Sequence, residues 1–160
     1  MSVKEFEFEN GFMNKFIDLG YEIYRGDDNW IPPMRHVVDH QLNEGFGFYR
    51  KPGNCHRKFI AITGGKVRGR VAAMVNSDLK HPDGGQVGTV GFFECVNDFS
   101  VAQDLIDTAV NWLFDEMGVS HIWGPMNFDI WHSYRFMTRG FERDLFYGEP
   151  YNKPFYPEYF

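Results

Sequence analysis

One carboxylate, Glu94, stands inside an apolar run, Gln86–Val96, that precedes an amphipathic helix, Ser100–Met117. A second apolar run follows and closes in Gly124-Pro125-Met126-Asn127-Phe128. A carboxyl group among Phe92, Phe93 and Cys95 is shielded from water, and burial lifts its pKa toward neutrality, where it can serve as a general base. Strand residues alternate faces, so Glu94 either meets that chemistry, points to solvent, or pairs with Arg68 or Arg70. Two strands joined by one crossover helix make a βαβ unit, and its helix N-terminus is a natural anion site at the strand ends. The turn here is Val96-Asn97-Asp98-Phe99-Ser100, with no glycine, Lys or Arg, and Asp98 would repel a phosphate. On these residues a well-capped structural helix competes with a phosphate cradle.

A second group, Trp131-His132-Ser133-Tyr134-Arg135, follows the second run and offers an imidazole, a hydroxyl and a guanidinium together. Loops just beyond strand ends commonly hold acceptors, and an arginine there could grip a carboxylate or phosphate. The plainer alternative is a loop pinned by Trp131 and Tyr134 with its polar groups in water. His36 and His40 lie one helical turn apart, half of a zinc site, but no second pair or cysteine partner has matching spacing. No metal is expected. Glycine-rich nucleotide loops and a nucleophile elbow are absent from the sequence.

The background supports a packed protein. Of 160 residues 43% are hydrophobic, which excludes disorder, and 18% are aromatic, so rings must be buried or line a groove or partner surface. The net charge of −6 speaks against general nucleic-acid binding. No run of about 18 apolar residues could span a membrane. Met1–Phe6 has no signal-peptide character, and Cys55 and Cys95 form no metal pair, so a reducing, cytoplasmic setting is the expectation.

The elements that position these groups follow in order. Val3–Glu9 alternates as a half-buried strand. Asn10 reads as the N-cap of a helix over Gly11–Tyr24 that buries Phe12, Phe16, Leu19 and Ile23. Pro33 opens a second helix to Leu42, with Met34, Val37, Val38 and Leu42 inward. Gly45–Asn54 is a loop. Phe59–Thr63 and Lys66–Asn76 form a hairpin about Gly64-Gly65, with Val67, Val71, Ala73 and Val75 on one face and Arg68 and Arg70 on the other. Ser100 and Gln103 fit a capping box for the crossover helix, and Gly118 stops it. The result is one domain of α/β class over residues 1–160, with a mixed, mostly antiparallel sheet and helices on both faces. Phe155, Tyr156, Tyr159 and Phe160 crowd the end of the sequence, and this suggests a chain cut from a longer protein, rings that dock on the core as a C-terminal strap, or a surface for homo-oligomers.

The element order and the βαβ segment resemble the GNAT superfamily of acyl-CoA N-acyltransferases. Gly91-Phe92-Phe93-Glu94-Cys95, the helix after it, Gly124-Pro125-Met126-Asn127-Phe128, Arg139-Gly140-Phe141 and Pro150-Tyr151-Asn152-Lys153-Pro154 look like a little-characterised bacterial branch of it. The resemblance implies a GNAT-like fold lacking its last helix and hairpin. It implies acetyl-CoA or a longer acyl-CoA in a gap between two splayed strands, with the pantetheine arm along Phe93, Cys95 and Val96. The pyrophosphate would lie over Asn97, Ser100, Val101, Ala102 and Gln103, although the superfamily's glycine-bearing turn is missing. Glu94 would be the general base, and Tyr156 or Tyr159 the acid that protonates the leaving thiolate. Asn127, Ser133, Tyr134 and Arg135 would meet a small-molecule amine or peptide acceptor. The reading is therefore an acyltransferase. Its rival is a non-catalytic GNAT-like module that binds a ligand or partner through aromatic surface.

Overall fold

The computed structural model describes residues 1–160, apart from the side chain of Asn10. Five strands form one sheet in the order β1 (Ser2–Phe6), β2 (Cys55–Thr63), β3 (Lys66–Lys80), β4 (Gln86–Cys95) and β5 (His121–Trp123). The first three pairings are antiparallel, and β4 and β5 run parallel. The hairpin forms because Gly64 and Gly65 both take positive φ (57° and 76°), the geometry of a tight two-residue turn. Its strands outrun the expected limits at Cys55 and Lys80.

Alternation along β2 and β3 splits the core in two. On one face Phe59, Val71, Ala73, Phe93 and Cys95 pack under Val101, Leu105 and Ala109 of helix α4 (Phe99–Asn111). A π-helical turn, Trp112–Glu116, continues α4 and buries Trp112 and Leu113. On the other face Ile60, Ala72, Met74 and Phe92 meet Phe6, Phe16, Ile17 and Leu42 from β1, helix α1 (Asn10–Ile23) and helix α2 (Arg35–Leu42). Helices thus cover both faces, as the pattern predicts. No helix among the described residues is long and apolar enough to cross a membrane.

Several local expectations are corrected. Helix α1 begins at Asn10 with Glu9 in the cap position, and the Glu9 carboxylate accepts from Glu7 N–H instead. Helix α2 starts at Arg35, and Met34 and Val37 are exposed because only Val38 and Leu42 reach the core. A bulge at Ala61/Ile62 turns Val67 toward the α1 side of the sheet, away from Val71 and Ala73. A one-turn helix α3 (Gly47–Arg50) interrupts the expected loop. Asp98, not Ser100, caps α4: its Oδ1 accepts from Ser100 N–H at 3.1 Å and Ser100 O–H at 2.8 Å. The capping box with Gln103 does not form. With Asp98 in the cap position the helix starts at Phe99, and a full negative charge at that end is favoured over a serine hydroxyl two residues on.

On β2 the His56 ring packs between Phe8 (centroids 4.8 Å apart) and Tyr49 (4.4 Å), and its Nε2 has no hydrogen-bond partner. Burial pushes its pKa down to about 3, helped by Lys58 and Arg57. An unfolded chain takes up this proton near pH 6.5 and the folded one does not, so stability falls as pH drops from 6.5 toward 3. At pH 5 the loss is about 2 kcal/mol. His56→Phe should keep wild-type stability at pH 7.5 and remove that part of the acid sensitivity. Urea midpoints at pH 7.5 and pH 5 test this; an equal drop in both proteins would refute it.

Candidate active site

The sheet opens where β4 bulges. Register runs from Ala72 opposite Gly91 to Arg70 opposite Glu94, so β4 spends one residue more than β3 over this stretch. The extra residue is absorbed at Phe92, whose φ of 51° lies in the left-handed region that side chains rarely adopt. Parallel pairing with β5 reaches Trp123, and Met126 N–H then donates to Val90 O at 2.9 Å. Beyond that point Asn127 stands in for backbone, its Oδ1 accepting from Phe92 N–H at 2.7 Å. A Cβ at Gly91 would lie 2.3 Å from Met126 O and 2.5 Å from Asn127 Oδ1, so only glycine allows this approach.

The bulge turns Glu94 to the α1 side while Phe93 and Cys95 stay in the core under α4. Glu94 Oε2 accepts from Tyr24 O–H at 2.9 Å and Tyr156 O–H at 2.8 Å. Its Oε1 faces Arg70 Nη2 at 3.9 Å. Arg70 is buried, donates from Nη1 to Phe16 O at 2.6 Å and leaves Nε without a partner. Arginine stays cationic even here. Burial raises the Glu94 pKa above the ordinary carboxylate range, opposed by Arg70 and by the two phenols. Burial, with the Glu94 charge behind it, drives Tyr24 and Tyr156 well above the usual phenol value, so both keep their protons.

Two adjoining cavities meet at this carboxylate. The larger, about 270 Å³, has an aromatic and aliphatic wall of Ile17, Tyr21, Trp30, Ile31 and Tyr151. The smaller, about 100 Å³, runs past Phe93, Pro125, Tyr134 and Arg135. Arg70, Phe92, Glu94, Asn127 and Ser133 line both. Tyr151 and Lys153 are tied down on Asp27 (2.9 Å each), and Asn152 grips both backbone groups of Met137, so this segment forms a fixed wall.

The expected residues divide. Glu94, Tyr156, Asn127, Ser133, Tyr134 and Arg135 converge, although Arg135 spends its guanidinium on Glu149 at 3.0 Å. Tyr159 is elsewhere: its hydroxyl donates to Asn97 Oδ1 at 2.6 Å. The expected pantetheine edge at Cys95 is met by Tyr156, whose oxygen accepts from Cys95 N–H at 2.8 Å and lies 3.0 Å from Cys95 O. Val96 N–H donates to Arg68 O. At the α4 N-terminus the N–H groups of Ser100, Val101 and Ala102 already have acceptors in Asp98, the Val101 and Ala102 side chains are buried, and Gln103 points to water. The terminal rings pack inward, Phe160 on Phe93 (5.6 Å) and Phe136 (5.3 Å). Sequence reasoning did not assign Tyr24, Trp30, Arg70 and Tyr151 to the site. Of these, Arg70 alone stands in the sequence reading, as a partner for Glu94, and the pairing forms inside the cavity wall.

No protein-family model matches the chain. It is 28% identical over 153 residues to Protein YghO of Escherichia coli strain K12, covering 91% of this chain and 38% of that protein. The chain thus spans about two fifths of the length of this curated relative. Among solved structures, apo aminoglycoside 6'-N-acetyltransferase AAC(6')-IG from Acinetobacter haemolyticus superimposes with a TM-score of 0.57 at 11% identity, over 81% of this chain and 82% of that one. AAC(6')-Iy in complex with the bisubstrate analogue CoA-S-monomethyl-acetylneamine gives 0.53 at 17% identity (79% and 81%). The aminoglycoside acetyltransferase meta-AAC0020 from an uncultured soil metagenomic sample, in complex with sisomicin, gives 0.51 at 15% (79% and 77%). The fold is that of the GNAT acetyltransferases.

Tyr24 stabilises the charged form of Glu94 by donating to it. Tyr24→Phe should therefore raise the Glu94 pKa further, and Arg70→Met should raise it more. Carboxyl 13C titration reads both; an unmoved Glu94 in either variant would contradict this account of its charge.

Proposed function

We propose that the chain is the acyl-transfer domain of a GNAT-type N-acyltransferase, carrying an acyl group from acetyl-CoA or a longer acyl-CoA to a small-molecule or peptide amine. One observation carries this reading: a buried carboxylate, Glu94, at the junction of two cavities beside the opening of β4 from β5. An acceptor ammonium first gives one proton to water, and Glu94 then takes one proton from the neutral amine as it attacks. The amine nitrogen bonds to the thioester carbonyl carbon, the carbon–sulfur bond breaks, and the Tyr156 hydroxyl, relieved of the opposing Glu94 charge once that carboxylate is protonated, gives its proton to the departing thiolate. The 2.8 Å hydrogen bond between Tyr156 and Glu94 then returns the abstracted proton to the phenolate, closing the cycle. Arg70 is a positioning residue that holds the carboxylate in the cavity wall. Asn127 keeps the splay at a fixed width, and the wall of Tyr21, Trp30 and Tyr151 suits the body of an acceptor. The neighbours bound to a CoA bisubstrate analogue and to sisomicin support the same pairing of CoA with an amine. Unpaired Cys55 and Cys95 agree with a cytoplasmic setting, where such donors are made.

A second reading, a ligand-binding module without acyl transfer, is favoured by two specific contacts. Tyr156 occupies the Cys95 edge, and Asp98 fills the α4 N-terminus with a negative charge. Under the first reading, the CoA phosphates contact the rim of α4 less closely than a glycine turn would permit, and the donor displaces the Tyr156 hydroxyl from Cys95 while leaving it on Glu94.

Calorimetry with acetyl-CoA and longer acyl-CoAs separates the two. Saturable binding is the expected result, and no heat at millimolar donor would reject acyl transfer by this chain. With a turnover assay in hand, Glu94→Gln should lower kcat by about 10²–10⁴-fold at neutral pH while donor affinity holds. Unchanged turnover would remove Glu94 from the reaction.

A further inference from the structure

At the far end of β4 from Glu94 the fold assembles a group that the acyl-transfer chemistry does not use. The β3–β4 turn, His81-Pro82-Asp83-Gly84-Gly85, folds back on the start of β5. Two backbone hydrogen bonds fix its shape, His81 N–H to Gly85 O at 2.9 Å and Gly84 N–H to His81 O at 2.8 Å. Asp83 Oδ1 accepts from Gly85 N–H at 2.8 Å. A Cβ at Gly85 would come within 2.1 Å of Ser120 Oγ, so the turn lies against β5 only because glycine is there.

This contact stacks the rings of His81 and His121, 3.7 Å between centroids and 12° from parallel. One carboxylate faces both. Asp83 Oδ1 is 3.0 Å from His81 Nδ1, and Oδ2 is 3.5 Å from His121 Nε2. One ligand atom from each of the three residues lies within 4.8 Å of the others. Behind His121, Ser120 Oγ sits 3.0 Å from Nδ1 and 3.2 Å from Gln86 O. When the serine gives its single proton to the Gln86 carbonyl, His121 carries its own proton on Nδ1. Its Nε2 then presents a lone pair to a carboxylate oxygen, an arrangement that a cation between them relieves. Outer hydrogen bonds of this kind fix the tautomer of metal-bound histidines. Both imidazoles keep about a third of their surface open, so an ion can enter from solvent.

We propose that His81, Asp83 and His121 form a binding site for one divalent transition-metal ion of the zinc class, with water completing the shell. Two imidazoles and a carboxylate are a donor set for zinc and its neighbours, whereas calcium and magnesium prefer all-oxygen shells. The ion clips the β3–β4 turn to the start of β5. It therefore pins the closed end of the β4–β5 pair, whose other end opens at the candidate active site.

The test is Zn2+ calorimetry and Co2+ absorption on chelator-treated protein, with the thermal midpoint as a third readout. One equivalent per chain is expected, with a higher midpoint, because an ion that binds only the folded state stabilises it. His81→Ala and His121→Ala should each abolish uptake, and Ser120→Ala should weaken it about tenfold. His36→Ala/His40→Ala, which removes the histidine pair on the exposed face of α2, should leave it intact. Circular dichroism verifies that each variant is folded. No saturable uptake below about 100 μM, or uptake that survives in His81→Ala/His121→Ala, or that disappears in His36→Ala/His40→Ala, would overturn the proposal.

Discussion

The extra residue in β4 is the constraint from which the rest of the site follows. A regular ladder would continue β4 against its neighbours and leave no opening. The left-handed Phe92 breaks it, and that conformation persists only because its surroundings over-determine it. Asn127 Oδ1 holds the freed Phe92 N–H, Gly91 leaves room for Met126 O where a Cβ would clash, and the Phe92 ring lies 5.4 Å from Phe128 in the core. Phe128 itself has positive φ, so strained backbone stands on both sides of the opening. The strain is local, and two packed faces of one sheet support it.

The bulge also explains how a carboxylate comes to be buried without being neutralised by a single partner. It rotates Glu94 off the α4 face and under the end of α1, where Tyr24 and Arg70 already stand. Gly20 makes the room: a Cβ there would approach Arg70 Nη2 to 2.8 Å. A close bidentate pair would fix the charge on Glu94. At 3.9 Å, with burial on the opposing side, Arg70 tempers the carboxylate instead, and its pKa stays above the ordinary carboxylate value.

The fold was legible wherever it depends on periodicity. Alternation in β2 and β3, the Gly64-Gly65 turn and the α4 stripe of Val101, Leu105 and Ala109 all read directly from residue types. The errors arose where two chemically similar options compete within a few residues. Asp98 and Ser100 both cap helices, and Met34 and Val37 are apolar on a helix too short to bury them. The candidate site was legible only along the chain. Glu94, Asn127 and Ser133 stood out near strand ends, whereas Tyr24 and Tyr151 reach the site by contacts that span 70 and 124 residues of sequence. The His81–Asp83–His121 group was hidden for the same reason: its halves are joined only through the parallel pairing of β4 with β5.

Tyr156 is where the two functional readings converge on one atom. Its single proton has two acceptors, Glu94 Oε2 and Cys95 O, while its oxygen takes the Cys95 N–H. A hydroxyl so placed stands where the next strand would, accepting from the N–H of an edge residue and dividing its one proton between the edge carbonyl and Glu94. An extended amide chain would satisfy the same pair, with a carbonyl for the N–H and an N–H for the carbonyl. The exchange therefore leaves no buried backbone group unpaired, and its cost is the movement of one side chain anchored in an aromatic cluster with Phe93 and Phe136. A phenol that remains bonded to Glu94 after releasing Cys95 ends beside the edge it has vacated, at hydrogen-bonding distance from the base. The contact that blocks the edge and the contact to Glu94 belong to one hydroxyl, so under the proposed acyl transfer only the first has to break, and the β4 bulge holds Glu94 within reach of the second.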